Sequence, residues 1–242
     1  MRLTVRHSFD FGVDRELVGS DLVRPEAWDA VRLRTSGPFA LPADRAAWEA
    51  QAEAAPQLAA RAQAIDRWVR SADARQIVSY GVGTAMLEHH LHRIDHDLQL
   101  TVTDYAPETV RRLRSLFAEV EVRRHDLRSD GPLAADVHLL HRVDSELSDE
   151  EWLELLGRFR GQRLLVVATE VADVRRILLE LVLRVRRRGV TRAGWLRTRD
   201  AFDGLWRPTH DARPIRVGDL WGWDLAPRRY ASDGRASPGA RR

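Results

Sequence analysis

A pair of glycines at the end of a short apolar stretch constrains the fold of this chain more than any other feature. In the segment Gln76–Leu87, a strand-like apolar run enters Gly81-Val82-Gly83, and a helix-like pattern follows at once. Glycine permits the unusual φ angles and the close backbone approach that such a turn needs. The free N–H groups at the start of the next helix favour polar ligand atoms. The segment therefore predicts a strand–turn–helix unit that holds a ligand.

A carboxylate follows the next predicted strand. Residues Leu98–Thr103 alternate apolar and polar side chains and end in Asp104, which lies 21 residues after Gly83. In nucleotide-binding strand–helix–strand units, an acidic residue about 20 residues beyond the glycines accepts hydrogen bonds from ribose hydroxyls. The glycine turn and Asp104 together predict a nucleoside-containing ligand. The alternative role of Asp104 is to cap the helix that opens at Pro107.

The spacing of the small residues narrows the choice of nucleoside. A dinucleotide-binding G-x-G-x-x-G pattern requires its third small residue at position 86, where the chain has the bulky Met86. This residue argues against NAD and FAD. A G-x-G-x-G pattern requires a small residue at position 85, and Ala85 meets that requirement.

From Gln76 to Pro227 the chain resembles the class I S-adenosylmethionine-dependent methyltransferases. Its first motif departs from the family pattern, because Tyr80 stands where the family usually has Asp or Glu, and Ala85 replaces a glycine. In the family, that acidic residue helps to hold the methionine part of the cofactor through its ammonium group. The resemblance implies an α/β fold with a Rossmann-like, doubly wound seven-stranded sheet, mostly parallel with an antiparallel last strand.

The resemblance also implies which residues bind the cofactor S-adenosylmethionine, with S-adenosylhomocysteine as product. Asp104 would bind the ribose hydroxyls. Asp126 would accept a hydrogen bond from the adenine amino group while the neighbouring backbone N–H contacts the ring. The implied cofactor-binding set is Tyr80, Gly81, Gly83, Thr84, Asp104, Tyr105, Asp126, Leu127 and His141.

The rest of the pattern alternates strands and helices, as expected of a parallel sheet. Further strands are predicted at 120–123, 136–140 and 163–168, with a closing pair at 215–217 and 221–225, and a helical insert at 199–206. Ser148 and Glu151 form a predicted capping box. We expect residues 1–72 to form an N-terminal helical cap, 73–227 the cofactor-binding methyltransferase domain, and 228–242 a disordered basic tail.

Three polar side chains follow the fourth predicted strand and are candidates for acid–base catalysis. His141, with an ordinary pKa of about 6.5, could take a proton from an acceptor hydroxyl or amine, or it could face the cofactor or pack in the interior. Asp144 and Glu146 could accept a proton or bind a cationic substrate. Glu146 could equally cap the helix that begins near Ser148.

A histidine-rich run raises the question of a metal site. Glu88, His92 and His96 follow one another at helical spacing and share one helix face. The first and last of them are separated by about 12 Å of helix, so all three cannot bind one ion. We therefore expect a solvated helix face and no metal.

Composition limits the classes of function. The chain of 242 residues has no cysteine and no lysine, which excludes disulfides, thiolate chemistry and a lysine base. Arginines cluster at Arg184–Arg188 and after Pro227, but the net charge is only +3 and no aromatic-interleaved RNA motif accompanies them, which disfavours a nucleic-acid partner. No apolar run is long enough for a membrane span, and Met1–His7 lacks a signal-peptide stretch, so we expect a cytoplasmic protein.

The sequence thus favours a methyltransferase that acts on an oxygen or nitrogen nucleophile of a small molecule, such as a specialised metabolite. Two alternatives stay open. One is an RNA or protein methyltransferase, and the other is a protein of this fold without methyl transfer, such as a cyclase or a regulatory protein. The changes at Tyr80 and Ala85 keep the second alternative open. The oligomeric state is not readable from the sequence.

Overall fold

The computed structural model describes residues 1–7, 24–35, 37, 39–186 and 194–228, with the side chains of residues 183–186 left aside. Eight helices and ten strands lie in this part of the chain. The side chains of the basic cluster Arg184–Arg188 and the predicted tail from residue 229 onward lie outside the described residues.

From residue 76 to residue 186 strands mostly alternate with helices, except that Val137–His141 follows Glu121–Arg124 and Val171–Ala172 follows Leu164–Val167 directly. The strands are β1 (Thr4–His7), β2 (Gln76–Tyr80), β3 (Gln99–Asp104), β4 (Glu121–Arg124), β5 (Val137–His141), β6 (Leu164–Val167), β7 (Val171–Ala172), β8 (Gly194–Thr198), β9 (His210–Val217) and β10 (Leu220–Pro227). The helices are α1 (Pro25–Arg32), α2 (Arg45–Glu53), α3 (Pro56–Ser71), α4 (Met86–Ile94), α5 (Pro107–Leu116), α6 (Asp149–Arg158), α7 (Val174–Arg186) and α8 (Arg199–Trp206).

Seven strands form one sheet in the order β4-β3-β2-β5-β6-β10-β9. The first five strands in this order are parallel, whereas β10 pairs antiparallel with both β6 and β9. The predicted doubly wound sheet with its closing antiparallel pair is confirmed. Chain order reverses at β2, since β3 and β4 lie on one side of it and β5 and β6 on the other. Ligands of such sheets bind beyond the carboxyl ends of the strands at this reversal.

Helices cover both faces of the sheet, so its central strands are apolar on both sides. Along β6, Leu165 and Val167 belong to the apolar cluster under α2, α3 and α4, while Leu164 and Val166 belong to the cluster under α6 and α8. This double burial explains why β6 reads as a continuous apolar run. Within the described ranges, no helix has both the length and the apolar character needed to cross a bilayer.

The N-terminal region is only partly helical. Helices α1, α2 and α3 fall within the predicted cap, and Pro25 and Pro56 open α1 and α3, where proline costs no hydrogen bond. Thr4–His7 instead forms β1, which pairs antiparallel with β8 in a separate sheet of order β1-β8-β7. The helical prediction was wrong for these residues. Their partner strand lies near the other end of the chain, and local propensity cannot reveal so distant a pairing.

The predicted capping box of Ser148 and Glu151 lies at the start of α6. Ser148 Oγ accepts from the Glu151 N–H at 3.2 Å, and the Glu151 carboxylate accepts from the Ser148 N–H at 2.7 Å, which confirms the predicted capping box.

We expect Ser148→Ala to lower the free energy of unfolding by about 1 kcal/mol, because an N–H of the first turn loses its acceptor. Urea denaturation measures the change. Ser115→Ala, on the exposed side of α5, is the control, and an equal loss in both variants would contradict the capping role.

Candidate cofactor and acceptor site

The carboxyl ends of β2 and β3 bring the glycine turn and Asp104 together. Tyr80 lies opposite Thr103 in the parallel register, and the Val82 N–H donates to the Thr103 carbonyl oxygen at 3.1 Å. The Gly83 N–H donates to Asp104 Oδ2 at 3.0 Å. The turn after one strand and the last residue of the next are thus in direct contact.

Both glycines of the turn are required by the backbone geometry. Gly81 has a φ of 64° and Gly83 a φ of 62°, in the region that residues with a Cβ rarely adopt. A Cβ on Gly81 would lie 2.6 Å from Val143 Cγ1, and one on Gly83 would lie 2.8 Å from Arg32 Cζ. Ala85 also has a positive φ, 52°, so α4 begins at Met86 and not at residue 84, where the sequence pattern placed its start.

The Asp104 carboxylate is only 1% exposed and already has several donors. Its Oδ1 accepts from the Ala106 N–H at 3.0 Å, which fixes the loop that leads into α5. Its Oδ2 accepts from Gly83 and also lies 3.4 Å from Arg32 Nη1. Asp104 therefore shapes the loop and faces the space above the glycine turn, but it does not cap α5, whose first-turn N–H groups at Glu108 and Thr109 donate to Asp29.

Arg32, the last residue of α1, occupies that space. Its guanidinium is buried beside Gly83 and stacks on the Trp28 ring, with 5.0 Å between Cζ and the ring centroid. The cation–π contact and the Asp104 carboxylate hold it there. The sequence analysis missed both Arg32 and Trp28, since nothing in a helix 50 residues upstream signals a contact with the turn.

Two cavities meet at the glycine turn. The smaller, of about 30 Å³, lies beyond the ends of β3 and β4, and its lining includes Asp104, Tyr105, Asp126 and Leu127. The larger, of about 520 Å³, lies between the turn, α1, α3 and the loop after β5. Arg32, Gly81 and Glu146 border both cavities, so Arg32 stands between them.

Most of the predicted cofactor-binding residues line one of these cavities. Tyr105, Asp126 and Leu127 face the smaller one together with Asp104, and Gly83, Thr84 and His141 face the larger one, while Gly81 borders both. The sequence therefore identified a contiguous set of residues around one cleft.

Tyr80 is the exception, because its side chain lies in the core. It is 1% exposed, its hydroxyl lies 3.1 Å from His138 Nδ1, and that hydroxyl accepts from the Leu133 N–H at 3.2 Å. Burial raises the pKa of Tyr80 to about 12. The ring packs against Phe159 and lines neither cavity, so its side chain does not replace the family's acidic residue in the cleft.

Glu146 is the predicted catalytic residue with the most suitable surroundings. Its carboxylate makes no hydrogen bond with any residue that the structure describes, and it borders both cavities. Burial raises the pKa of Glu146 to about 7, while Arg128 and Arg32 oppose the shift. A carboxylate with this pKa changes charge near neutral pH, as a general base should. It does not cap α6, where Ser148 has that role.

His141 and Asp144 differ from Glu146 and from each other. Burial, aided by the charges of Arg142 and Arg61, lowers the pKa of His141 to about 3, so its imidazole is neutral at physiological pH. His141 Nε2 has no hydrogen-bond partner among the described residues. The buried Asp144 carboxylate accepts from the Thr169 N–H and hydroxyl at 2.7 and 2.8 Å and lies outside the lining of both cavities.

The predicted solvated face of Glu88, His92 and His96 is solvated only toward its end, where His92 is half-buried and His96 is exposed. Glu88 is 2% exposed, and Ser79 Oγ donates to its carboxylate at 2.6 Å. Burial raises the pKa of Glu88 to about 7. The expectation of exposure was wrong at Glu88 because α4 packs against α3 and β2 with this side inward, toward the larger cavity. Within the described part of the chain, no three His, Asp or Glu side chains are grouped so that they could hold a metal.

Two more arginines line the larger cavity. Arg61 on α3 donates to both carboxylate oxygens of Asp219 at 2.8 and 2.9 Å. Arg142 directly follows β5 and has a φ of 61°, unusual for a residue with a side chain. The sequence analysis missed both, although the position of Arg142 next to His141 at a strand end was a usable signal.

Comparisons with known proteins bear on the fold. No family model and no curated protein sequence matches the chain. Among solved structures, human N-acetylserotonin methyltransferase in complex with SAM aligns over 90% of this chain, with a TM-score of 0.60 and 18% identity. The mitomycin 7-O-methyltransferase MmcR aligns over 74% with a TM-score of 0.54 and 20% identity, and PigF with SAH over 66% with 0.54 and 18%.

The chain is shorter than these structures. It spans 61% of the human enzyme, 56% of MmcR and 53% of PigF. At identities this low, structural similarity establishes architecture and not activity. The strand order, the antiparallel closing pair and these alignments together show that the chain has the fold of the S-adenosylmethionine-dependent methyltransferases.

Proposed function

We propose that this chain is an S-adenosylmethionine-dependent methyltransferase that acts on an oxygen or nitrogen nucleophile of a small molecule. The observation that carries the proposal is the contact between the glycine turn and Asp104 at the reversal of the sheet. The human and PigF structures, which share this fold, are described with SAM and SAH. The larger cavity, of about 520 Å³, is within the range of about 300–1,000 Å³ that small-molecule pockets occupy.

The residues around the turn fit this cofactor. Asp104 offers carboxylate oxygens to ribose hydroxyls, and Asp126 and Leu127 border the smaller cavity, where the adenine would lie. The space that the missing side chains of Gly81 and Gly83 leave is filled by Val143 and Arg32, so a ligand beside Gly83 would take the place of Arg32. At about 30 Å³ the smaller cavity is too small for a nucleoside while Arg32 lies beside Asp104. The sugar therefore competes with Arg32 for the same carboxylate.

This competition gives a testable prediction. We expect Arg32→Ala to tighten the binding of S-adenosylhomocysteine by about tenfold, because the charged hydrogen bond to Asp104 no longer has to be broken. Asp104 keeps its two backbone donors in the variant, so the turn should stay folded. Isothermal titration calorimetry measures the dissociation constants. Arg111→Ala, an exposed site on α5, is the control. Weaker binding by Arg32→Ala would mean that Arg32 holds the cofactor instead.

The chain's own residues would align the acceptor, exclude water and accept a proton from an acceptor that begins protonated. The bound cofactor would supply a methyl group on a positively charged sulfur, already activated for transfer. Glu146 is the proposed base, because its carboxylate has no other partner among the described residues and a pKa of about 7. His141, which is neutral, is proposed to hydrogen-bond the acceptor or the cofactor rather than to carry its proton.

Two measurements together test the proposal. Calorimetry with S-adenosylmethionine and S-adenosylhomocysteine should show binding that Asp104→Asn weakens. A panel of hydroxylated and amino-substituted aromatic compounds should then reveal methyl transfer by mass spectrometry, as a gain of one methyl group on the acceptor. No binding of either cofactor form would exclude the proposed function.

The second candidate is a protein of this fold without methyl transfer. The observations that favour it are the Arg32 side chain over the turn and the core position of Tyr80, both of which remove features expected of the cofactor site. Cofactor binding without turnover on any acceptor would support this candidate. Methyl transfer to a single acceptor would reject it.

A further inference from the structure

We infer that the acceptor carries a carboxylate on a largely apolar body, and that Arg142 pairs with that carboxylate. This inference rests on the proposed function, because the ligand that it describes is the acceptor of the proposed methyl transfer. The residues that support it lie on a wall of the larger cavity that is not part of the proposed nucleoside site.

Three arginines among the described residues line the larger cavity, and only Arg142 has no anion beside it there. Arg32 lies beside Asp104, and Arg61 makes a two-point contact with Asp219. Arg142 makes no side-chain hydrogen bond or ion pair with any residue in the described part of the chain. A guanidinium presents a planar fork of donors that matches one carboxylate. The cavity therefore contains one cation that has no anionic partner in the part of the chain that the structure describes.

The backbone holds Arg142 in an unusual conformation at this wall. Its φ is 61°, its N–H donates to the Val167 carbonyl oxygen at 2.8 Å, and its own carbonyl oxygen accepts from Thr169 Oγ1 at 3.2 Å. Such a conformation costs energy, persists only where the surroundings impose it, and is concentrated at functional sites. Contacts with β6 and the loop after it thus fix where the Arg142 side chain begins.

The groups around Arg142 do not neutralise it. The charged neighbours are Arg61, Asp219 and Asp144, and His141 is the neighbouring titratable group. Asp219 is bound to Arg61, Asp144 accepts from Thr169, and His141 is neutral. Arg142 is exposed, but the partial loss of solvent at the cavity, together with the charge of Arg61, lowers its pKa against the opposing charges of Asp144 and Asp219. An anionic ligand would relieve this unfavourable environment.

The other residues that line the cavity indicate the chemical character of the rest of the acceptor. Trp28, Phe39, Leu58, Met86 and Leu87 line it, so most of the acceptor should be apolar. A single free guanidinium suits a carboxylate better than a doubly charged phosphate. Glu146 lies at the border with the smaller cavity, whereas Arg142 lines the larger cavity only. A carboxylate at Arg142 would therefore direct the opposite end of the acceptor, with its nucleophile, toward Glu146 and the cofactor.

A matched pair of probes tests this inference. We would titrate 6-hydroxy-2-naphthoate and the neutral 6-hydroxy-2-naphthamide into the full chain by calorimetry, with and without S-adenosylhomocysteine. The wild type should bind the acid at least about tenfold more tightly than the amide, as expected for a charged hydrogen-bonded pair. Arg142→Met should remove the preference and Arg142→Lys should keep part of it. Arg207→Met, at an exposed site outside the cavity, should leave it intact.

Three results would overturn the inference: equal binding of acid and amide by the wild type, no detectable binding of the acid, or an unchanged preference in Arg142→Met. Circular dichroism verifies that each variant is folded. If Arg142→Met is not folded, the acid–amide preference is measured in Arg142→Lys instead. The proposed function and the inference about Arg142 are contradicted by different results. Loss of S-adenosylhomocysteine binding in the wild type contradicts the proposed function, whereas the acid–amide preference is read without cofactor.

Discussion

Glu146→Gln is expected to lower the rate of methyl transfer by roughly 10²–10⁴-fold at pH 8, the contribution usual for a positioned general base. The substitution keeps the size and polarity of the side chain but removes its ability to accept a proton. Because the Glu146 carboxylate makes no hydrogen bond with any described residue, and its backbone bonds to Val143 and Arg128 are kept, the change should disturb the fold little. Steady-state kinetics with the acceptor found by the panel measures the effect.

The pH dependence of the wild type provides an independent reading. Burial raises the pKa of Glu146 to about 7, so its carboxylate is protonated below that pH and available as a base above it. The rate should therefore rise with pH through about 7 and level off above it, whereas the glutamine variant should lack this rise. Glu150→Gln, at an exposed position of α6, is the control. An unchanged rate in Glu146→Gln would show that positioning alone suffices.

Asp104→Asn is expected to affect both binding and stability. It should weaken S-adenosylhomocysteine binding by roughly 10–100-fold, because the ribose hydroxyls lose a charged acceptor. It should also lower the free energy of unfolding by about 3 kcal/mol, since the buried Arg32 guanidinium loses the one carboxylate partner that it has among the described residues. Calorimetry measures the first effect and urea denaturation the second.

The double variant Arg32→Ala/Asp104→Asn separates these two effects. Removing both partners of the buried pair should restore part of the stability, because no uncompensated charge remains. It should not restore binding, because the carboxylate is still absent. Recovery of affinity in the double variant would mean that Asp104 acts only by holding Arg32, and that the ribose lies elsewhere.

The sequence predicted the central part of the fold because its signals are local. Gly81 and Gly83 have the positive φ angles that a strand-to-helix turn requires, and Ser148 and Glu151 form their capping box within four residues. The alternation of strands with helices then allows few arrangements of a parallel sheet. Since parallel strands end at one edge of the sheet, the contact between the glycine turn and Asp104 followed from the same pattern.

Side-chain roles were predicted less well, because they depend on burial. Glu88 and Glu146 are both acidic residues near predicted loops or helix starts, and the sequence treated only Glu146 as a candidate for catalysis. In the structure both are desolvated, and burial raises the pKa of each to about 7. Tyr80 was assigned to the cofactor, but the face of β2 on which it lies points into the core.

The sequence by itself determined the doubly wound sheet, the glycine turn and the carboxylate beside it, since each is encoded within a few residues or one strand–helix–strand unit. Only the tertiary structure decided that β1 pairs with β8, that Arg32 lies over the turn against Asp104, and that Arg142 lines the larger cavity with no anion from the described residues beside it. These contacts join segments far apart in the chain. Their energies come from burial and charge pairing, which exist only after the chain has folded.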